Sequence, residues 1–75
     1  MNYVYTRSNP PCVFCDRVKA LLNGYGISYE IADISEDIIA RDGFNFLGFK
    51  SVPQVFLNDE YIGGFEATAK YLRGE

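Results

Sequence analysis

The chain has 75 residues, 48% of them hydrophobic, with six Tyr, six Phe, no Trp, no His and a formal net charge of −3. That length makes one domain across 1–75, near the lower size at which a single apolar core suffices. An acidic chain without a basic patch is a poor partner for phosphate backbones, so nucleic-acid binding is excluded, and no apolar run is long enough for a membrane span or secretory leader.

Asn2-Tyr3-Val4-Tyr5-Thr6 is β-branched and aromatic and reads as a short buried strand. Ser8-Asn9-Pro10-Pro11 breaks it, because two prolines forbid helix until their far side. From Cys12 onward, Phe14, Val18, Leu21, Leu22 and Tyr25 recur at helical spacing, and Gly24 or Gly26 ends that amphipathic helix. Ile27 to Ile34 reads as a second strand, with Tyr29 and Ile31 on its inner face. Ser35-Glu36-Asp37 supplies a cap and two acids for a second helix, whose inner face is Ile38, Ile39, Phe46 and Leu47. Gly43 interrupts this helix and Gly48 stops it. Val52 to Leu57 and Glu60 to Gly63 form two strands joined at Asn58-Asp59, a two-residue hairpin signal. Phe65, Thr68, Ala69 and Leu72 pattern a C-terminal helix. The order is β-α-β-α-β-β-α, an α/β fold with a four-stranded mixed sheet: the first two strands parallel across a helical crossover, the hairpin antiparallel, helices on both faces.

The only two cysteines stand as Cys12-Val13-Phe14-Cys15, where strand pattern gives way to helix pattern. At a helix start, orphan N–H groups and the positive dipole end favour S⁻ over SH at Cys12. Cys15, one turn on, is on the same side and can close a disulfide with it. A purely structural staple is weaker, since so short a loop constrains the denatured state little. Zinc is weaker still, because no other Cys and no His is available. The pair therefore reads as a dithiol that cycles with its disulfide. Sites on such sheets favour the carboxyl ends of parallel strands, which is where Cys12 falls.

Three stretches in this order resemble the glutaredoxins of the thioredoxin-like fold: Tyr5-Thr6 leading into Cys12-Val13-Phe14-Cys15, then Ser51-Val52-Pro53-Gln54-Val55-Phe56, then Ile62-Gly63-Gly64-Phe65-Glu66. Alone, Pro53 reads as an ordinary trans proline guarding an edge strand, and Gly63-Gly64 as a loose turn. The resemblance implies instead a cis Val52–Pro53 bond whose backbone pairs with an extended peptide. It further implies glutathione as co-substrate, with Val52 and Pro53 at its middle, its γ-glutamyl carboxylate at Gly64 and the N–H groups of Phe65 and Glu66, and its ammonium on Glu66. Arg7 or Lys50 would then meet the glycyl carboxylate. The chain departs from the family in Val13-Phe14 where Pro-Tyr is usual, in Pro10-Pro11 as an apparent insertion behind Arg7, and in Ala67 where Asp is common.

What the resemblance implies is a glutathione-dependent dithiol–disulfide oxidoreductase. It would be monomeric, with no permanently bound cofactor and no metal, and would act on glutathione mixed disulfides and protein disulfides such as that of ribonucleotide reductase. The cytoplasm is the expected setting, or the host cytoplasm if the compact chain is of the kind large bacteriophages encode. Two alternatives stay open. Cys-Val-x-Cys and Gly48-Phe49-Lys50 are also similar to small redoxins reduced by thioredoxin reductase. A dimeric iron–sulfur form would use Cys12 with an external thiol.

Overall fold

Tyr3–Thr6 forms β1, a central strand in the computed structural model, which describes residues 1–75. The chain then builds α1 (Val13–Gly24), β2 (Glu30–Asp33), α2 (Ile38–Phe46), β3 (Gln54–Leu57), β4 (Glu60–Gly63) and α3 (Phe65–Arg73). The sheet order is β2-β1-β3-β4. β1 runs parallel to β2, with Tyr3 opposite Glu30 and Thr6 opposite Asp33. It runs antiparallel to β3, with Val4 opposite Val55, and β3 in turn is antiparallel to β4. This is the thioredoxin-like arrangement that the resemblance implies.

Strand alternation gives the two faces different chemistry. Val4, Val55 and Leu57 point to one side and pack with Val18 and Leu22 of α1, closed in by Ile27, Tyr29, Ile62, Phe65 and Leu72. Each such fully buried aliphatic side chain contributes roughly 1.5–3 kcal/mol. On the other side Tyr3 stacks on Phe56 at a centroid distance of 4.6 Å. Tyr5 meets Phe44 of α2 at 5.7 Å, and Phe49 lies 5.3 Å from Tyr61. The faces are thus aliphatic beneath α1 and α3, and aromatic beneath α2.

Glycines end all three helices by the same device, Gly74 closing α3 at φ +80° with the Glu75 N–H on Lys70 O at 2.9 Å. Gly26 and Gly48 take φ of +70° and +81°, and the N–H of the following residue reaches back, Ile27 to Leu22 O at 3.0 Å and Phe49 to Phe44 O at 3.2 Å. α2 runs unbroken through Gly43, contrary to the expected interruption. A Cβ there would stand 2.9 Å from the Tyr5 hydroxyl, so glycine is what lets the helix lie on that ring. The cap of α2 is also not Ser35. Asp37 accepts the N–H groups of Ile39 and Ala40 at 2.9 and 3.4 Å, while Ser35 is engaged elsewhere. α2 buries Ala40 and Phe44, whereas Ile38, Ile39, Phe46 and Leu47, expected on the inner face, are exposed. β2 is shorter than Ile27 to Ile34, and as an edge strand it leaves Ile31 half exposed.

Asn58 and Asp59 both adopt left-handed φ, 54° and 64°, the geometry of a two-residue turn whose twist matches its strands. A bulge follows: Val55 pairs with Gly63 but Phe56 with Tyr61, leaving Ile62 extra on β4. Gly63 takes φ +128° there, and a Cβ on it would come within 2.9 Å of the Ala67 Cβ. This bulge sets where α3 begins. No helix of the chain is long and apolar enough to cross a membrane.

Candidate active site

Pro10 and Pro11 end at Cys12, which has extended backbone (φ −130°, ψ 107°) and serves as the N-cap of α1. Its sulfur accepts the N–H of Cys15 at 3.2 Å. The two cysteines are joined as a disulfide with their Cα atoms 5.2 Å apart. Cys15 is fully buried and Cys12 keeps 7% of its surface, so the sulfurs are more enclosed than an open helix start suggests. What solvent access exists belongs to Cys12. The residues between them project outward, Val13 and Phe14 being 63% and 50% exposed. The Arg17 guanidinium lies 5.1 Å from the Phe14 ring centroid, and Phe65 flanks that ring at 6.1 Å.

Beside the disulfide, the Cys12 sulfur lies 4.0 Å from the Val52 carbonyl oxygen. The Val52–Pro53 peptide is cis, as the resemblance implies, and Asn9–Pro10 is cis as well. A cleft of about 360 Å³ opens here, lined by Phe14, Ser51, Val52, Pro53, Gln54, Tyr61, Gly64, Phe65 and Glu66. Gly64 caps α3 with no side chain, so the first N–H groups of that helix face the cleft edge without a capping acceptor. The Tyr61 hydroxyl donates to Gln54 Oε1 at 2.7 Å, and Gln54 Nε2 donates to Ser51 O at 3.0 Å, bracing the β3 wall.

Of the residues singled out in the sequence, Val52, Pro53, Gly64, Phe65 and Glu66 come together around this cleft next to Cys12. Arg7 and Lys50 are not among its lining. Arg7 is bonded to Pro10 and Pro11 carbonyls instead, and Lys50 is an exposed side chain in the loop before β3. Tyr5 lies on the aromatic face of the sheet, against Phe44 and Phe49. Sequence reasoning missed Tyr61 as a cleft residue and used Ser51 and Gln54 only as part of a motif. The available signal was alternation, since Tyr61 and Gln54 share a strand face with Phe56. Among the charged lining residues there is Glu66 alone, and no group of three or more His, Cys, Asp or Glu side chains converges to hold a metal ion.

A disulfide at a helix N-terminus beside an open cleft, on this four-stranded mixed sheet, is the arrangement of a thioredoxin-fold protein suited to thiol–disulfide exchange. The family model described as "Glutaredoxin" matches residues 3–62, and the chain belongs to the glutaredoxin family. It is 33% identical over 72 residues to an uncharacterised monothiol glutaredoxin of Synechocystis sp., spanning 93% of this chain and 67% of that one. It is 34% identical over 67 residues to glutaredoxin 3 of Escherichia coli K12, spanning 81% of this chain and 72% of that one. Of two longer relatives it spans only 26% and 27%. A buckwheat glutaredoxin solved with glutathione superposes with a TM-score of 0.77 over 97% of this chain and 69% of that one; at 24% identity the likeness is one of fold. Cys12 and Cys15 are accordingly the redox-active pair of a thiol–disulfide oxidoreductase.

Proposed function

We propose that the chain reduces disulfides at the expense of glutathione, acting on glutathione mixed disulfides and protein disulfides, in a reducing compartment such as the cytoplasm. The observation that carries this is the cleft against Val52, which offers backbone beside Cys12, unpaired helix N–H groups and the Glu66 carboxylate at one end. Those elements suit an extended thiol peptide whose sulfur points at Cys12, whose carboxylate lies on the start of α3 and whose ammonium meets Glu66.

In the first half-reaction the Cys12 thiolate attacks one sulfur of the substrate disulfide. That S–S bond breaks, a mixed disulfide with Cys12 forms, and the other sulfur leaves as thiolate and takes up a proton. Cys15, deprotonated, then attacks the Cys12 sulfur and releases the second substrate thiol. Two electrons have passed to the substrate, and Cys12–Cys15 is left as the disulfide seen here. Two glutathione thiols return the electrons, one forming a mixed disulfide with Cys12 and the next displacing it as oxidised glutathione. Substrates joined to glutathione need Cys12 alone.

A second reading has one observation in its favour. The cleft lining contains no cation, so a glycyl carboxylate would depend on Lys50 reaching over its edge. Reduction by thioredoxin reductase would not need that contact. Turnover of a small disulfide should be run with glutathione and its reductase, in parallel with thioredoxin reductase alone. Activity confined to the first supports the proposal, and activity confined to the second replaces it. Within the first, Glu66→Lys and Lys50→Glu should each raise the glutathione KM by a few-fold, as expected for exposed charge contacts of roughly 0.2–1 kcal/mol.

A further inference from the structure

The loop Ser8–Pro11 delivers Cys12 to the helix start, yet it has no regular structure of its own, and its two prolines donate no hydrogen bond. It is held from two sides. From the end of β1, Arg7 Nε donates to Pro10 O at 2.9 Å and an Arg7 Nη donates to Pro11 O at 3.2 Å. The planar guanidinium thereby bridges two consecutive carbonyls, the second belonging to the residue bonded to Cys12. From the end of β2, the Ser35 hydroxyl gives its proton to Asp33 Oδ1 at 2.6 Å. Its lone pairs then accept the N–H groups of Ser8 and Asn9, each at 3.2 Å, and the Ser8 hydroxyl lies 3.1 Å away. The same Asp33 oxygen also takes the Ser35 N–H at 2.9 Å.

We propose that Arg7, Ser35 and Asp33 clamp the loop that carries Cys12, and that Arg7 is a positioning residue for the nucleophile and not a carboxylate ligand of glutathione. The assignment rests on the thiol–disulfide reading of the site. With Nε and one Nη bonded to the loop, the Arg7 guanidinium is held against Pro10 and Pro11, and its absence from the cleft lining agrees. Asp33 supports the same picture: burial disfavours its charge, but hydrogen bonding from Ser35 and Ser8 outweighs that and holds the carboxyl at about 2, so the anion persists to anchor Ser35. The charged side chains nearest in sequence to the clamped loop and its anchor are Arg7, Asp16, Arg17, Asp33, Glu36 and Asp37. Only Arg7 is bonded to the residue preceding Cys12. Releasing the clamp lets Cys12 drift from the Cys15 N–H, and the thiolate loses its hydrogen bond.

Reduced Arg7→Lys, Arg7→Met and Ser35→Ala proteins test this through the pH dependence of Cys12 alkylation by iodoacetamide and through glutathione KM and kcat. Both Arg7 variants should slow alkylation near pH ~6 by about two- to fivefold. Ser35→Ala, a surface change remote from the cleft, should move it in the same direction. Lysine should not rescue, because one ammonium cannot bridge two carbonyls. Glutathione KM should change by less than about twofold while kcat falls. Unchanged alkylation in all three variants overturns the clamp. So does a glutathione KM raised by Arg7→Met and restored by Arg7→Lys, the mark of a carboxylate ligand. Alkylation needs no glutathione, so a protein driven by another reductant still gives a decisive answer.

Discussion

The sulfur of Cys12 accepts the backbone N–H of Cys15 at 3.2 Å, so one atom is both a helix cap and the redox centre. A capping atom is stabilised when negative, since it faces the orphan donors and positive end of α1. Cys15, one turn inside and fully buried, has no such partner. Alkylation of the reduced protein near pH ~6 is expected to label Cys12 at least about tenfold faster than Cys15. In Cys15→Ser the mixed disulfide should accumulate on Cys12 and be seen by mass; labelling of Cys15 first would reverse the two roles.

Gly63→Ala should destabilise the protein by about 1–3 kcal/mol, because φ +128° is hostile to a side chain and the new methyl meets Ala67 at 2.9 Å. Gly64→Ala is the control. Its Cβ would meet only Pro53 O at an ordinary 3.6 Å. Urea midpoints of the two variants separate the bulge glycine from its neighbour, and equal losses would contradict the assignment.

Thr6→Val should leave stability unchanged or raise it. The Thr6 hydroxyl is fully buried at the end of β1 and has no hydrogen-bond partner, a cost of about 1–3 kcal/mol that valine of the same shape removes. A thermal melt of the oxidised protein decides. A clear loss would mean that the hydroxyl finds a partner in solution.

Asp33 makes stability pH-dependent in a defined window. Its folded carboxyl sits at about 2 and its ordinary value is 3.8. The anion's contribution is therefore complete above about pH 4 and is lost as pH falls through about 2. Because the site is largely open to solvent, the effect should be about 0.2–1 kcal/mol. Asp33→Asn should flatten that limb of the stability curve. An unaltered acid limb would show that Ser35 does not depend on the charge.

Most of the element order was legible because its signals are local: the alternation of Tyr3 to Thr6, the stripe Val18-Leu21-Leu22, and Asn58-Asp59 between two apolar runs. The redox pair was legible for the same reason, two sulfurs one helical turn apart. What failed were matters decided by distant partners. Ser35 carries the signature of a cap, yet Asp37 caps α2, because Ser35 is taken by the loop 27 residues earlier in the chain. Gly43 reads as a break, and only the Tyr5 hydroxyl above it explains why the helix needs it. Arg7 is a free cation in the sequence and a bridged one in the structure. Ile38, Ile39 and Phe46 have helical spacing toward the interior but stand beyond the edge of a narrow sheet.

That narrow seat of α2 has a dynamic consequence. Ala40 and Phe44 are its only buried residues, whereas α1 sinks Cys15, Val18 and Leu22 into the aliphatic core. Opening free energies across the molecule are therefore graded, and amide hydrogens of α2 exchange with solvent well before those of α1 and β1. Local opening is expected to begin at α2. Transient unwinding of α2 leaves Cys12 and its helix start in place, so breathing of one half is compatible with electron transfer through the other.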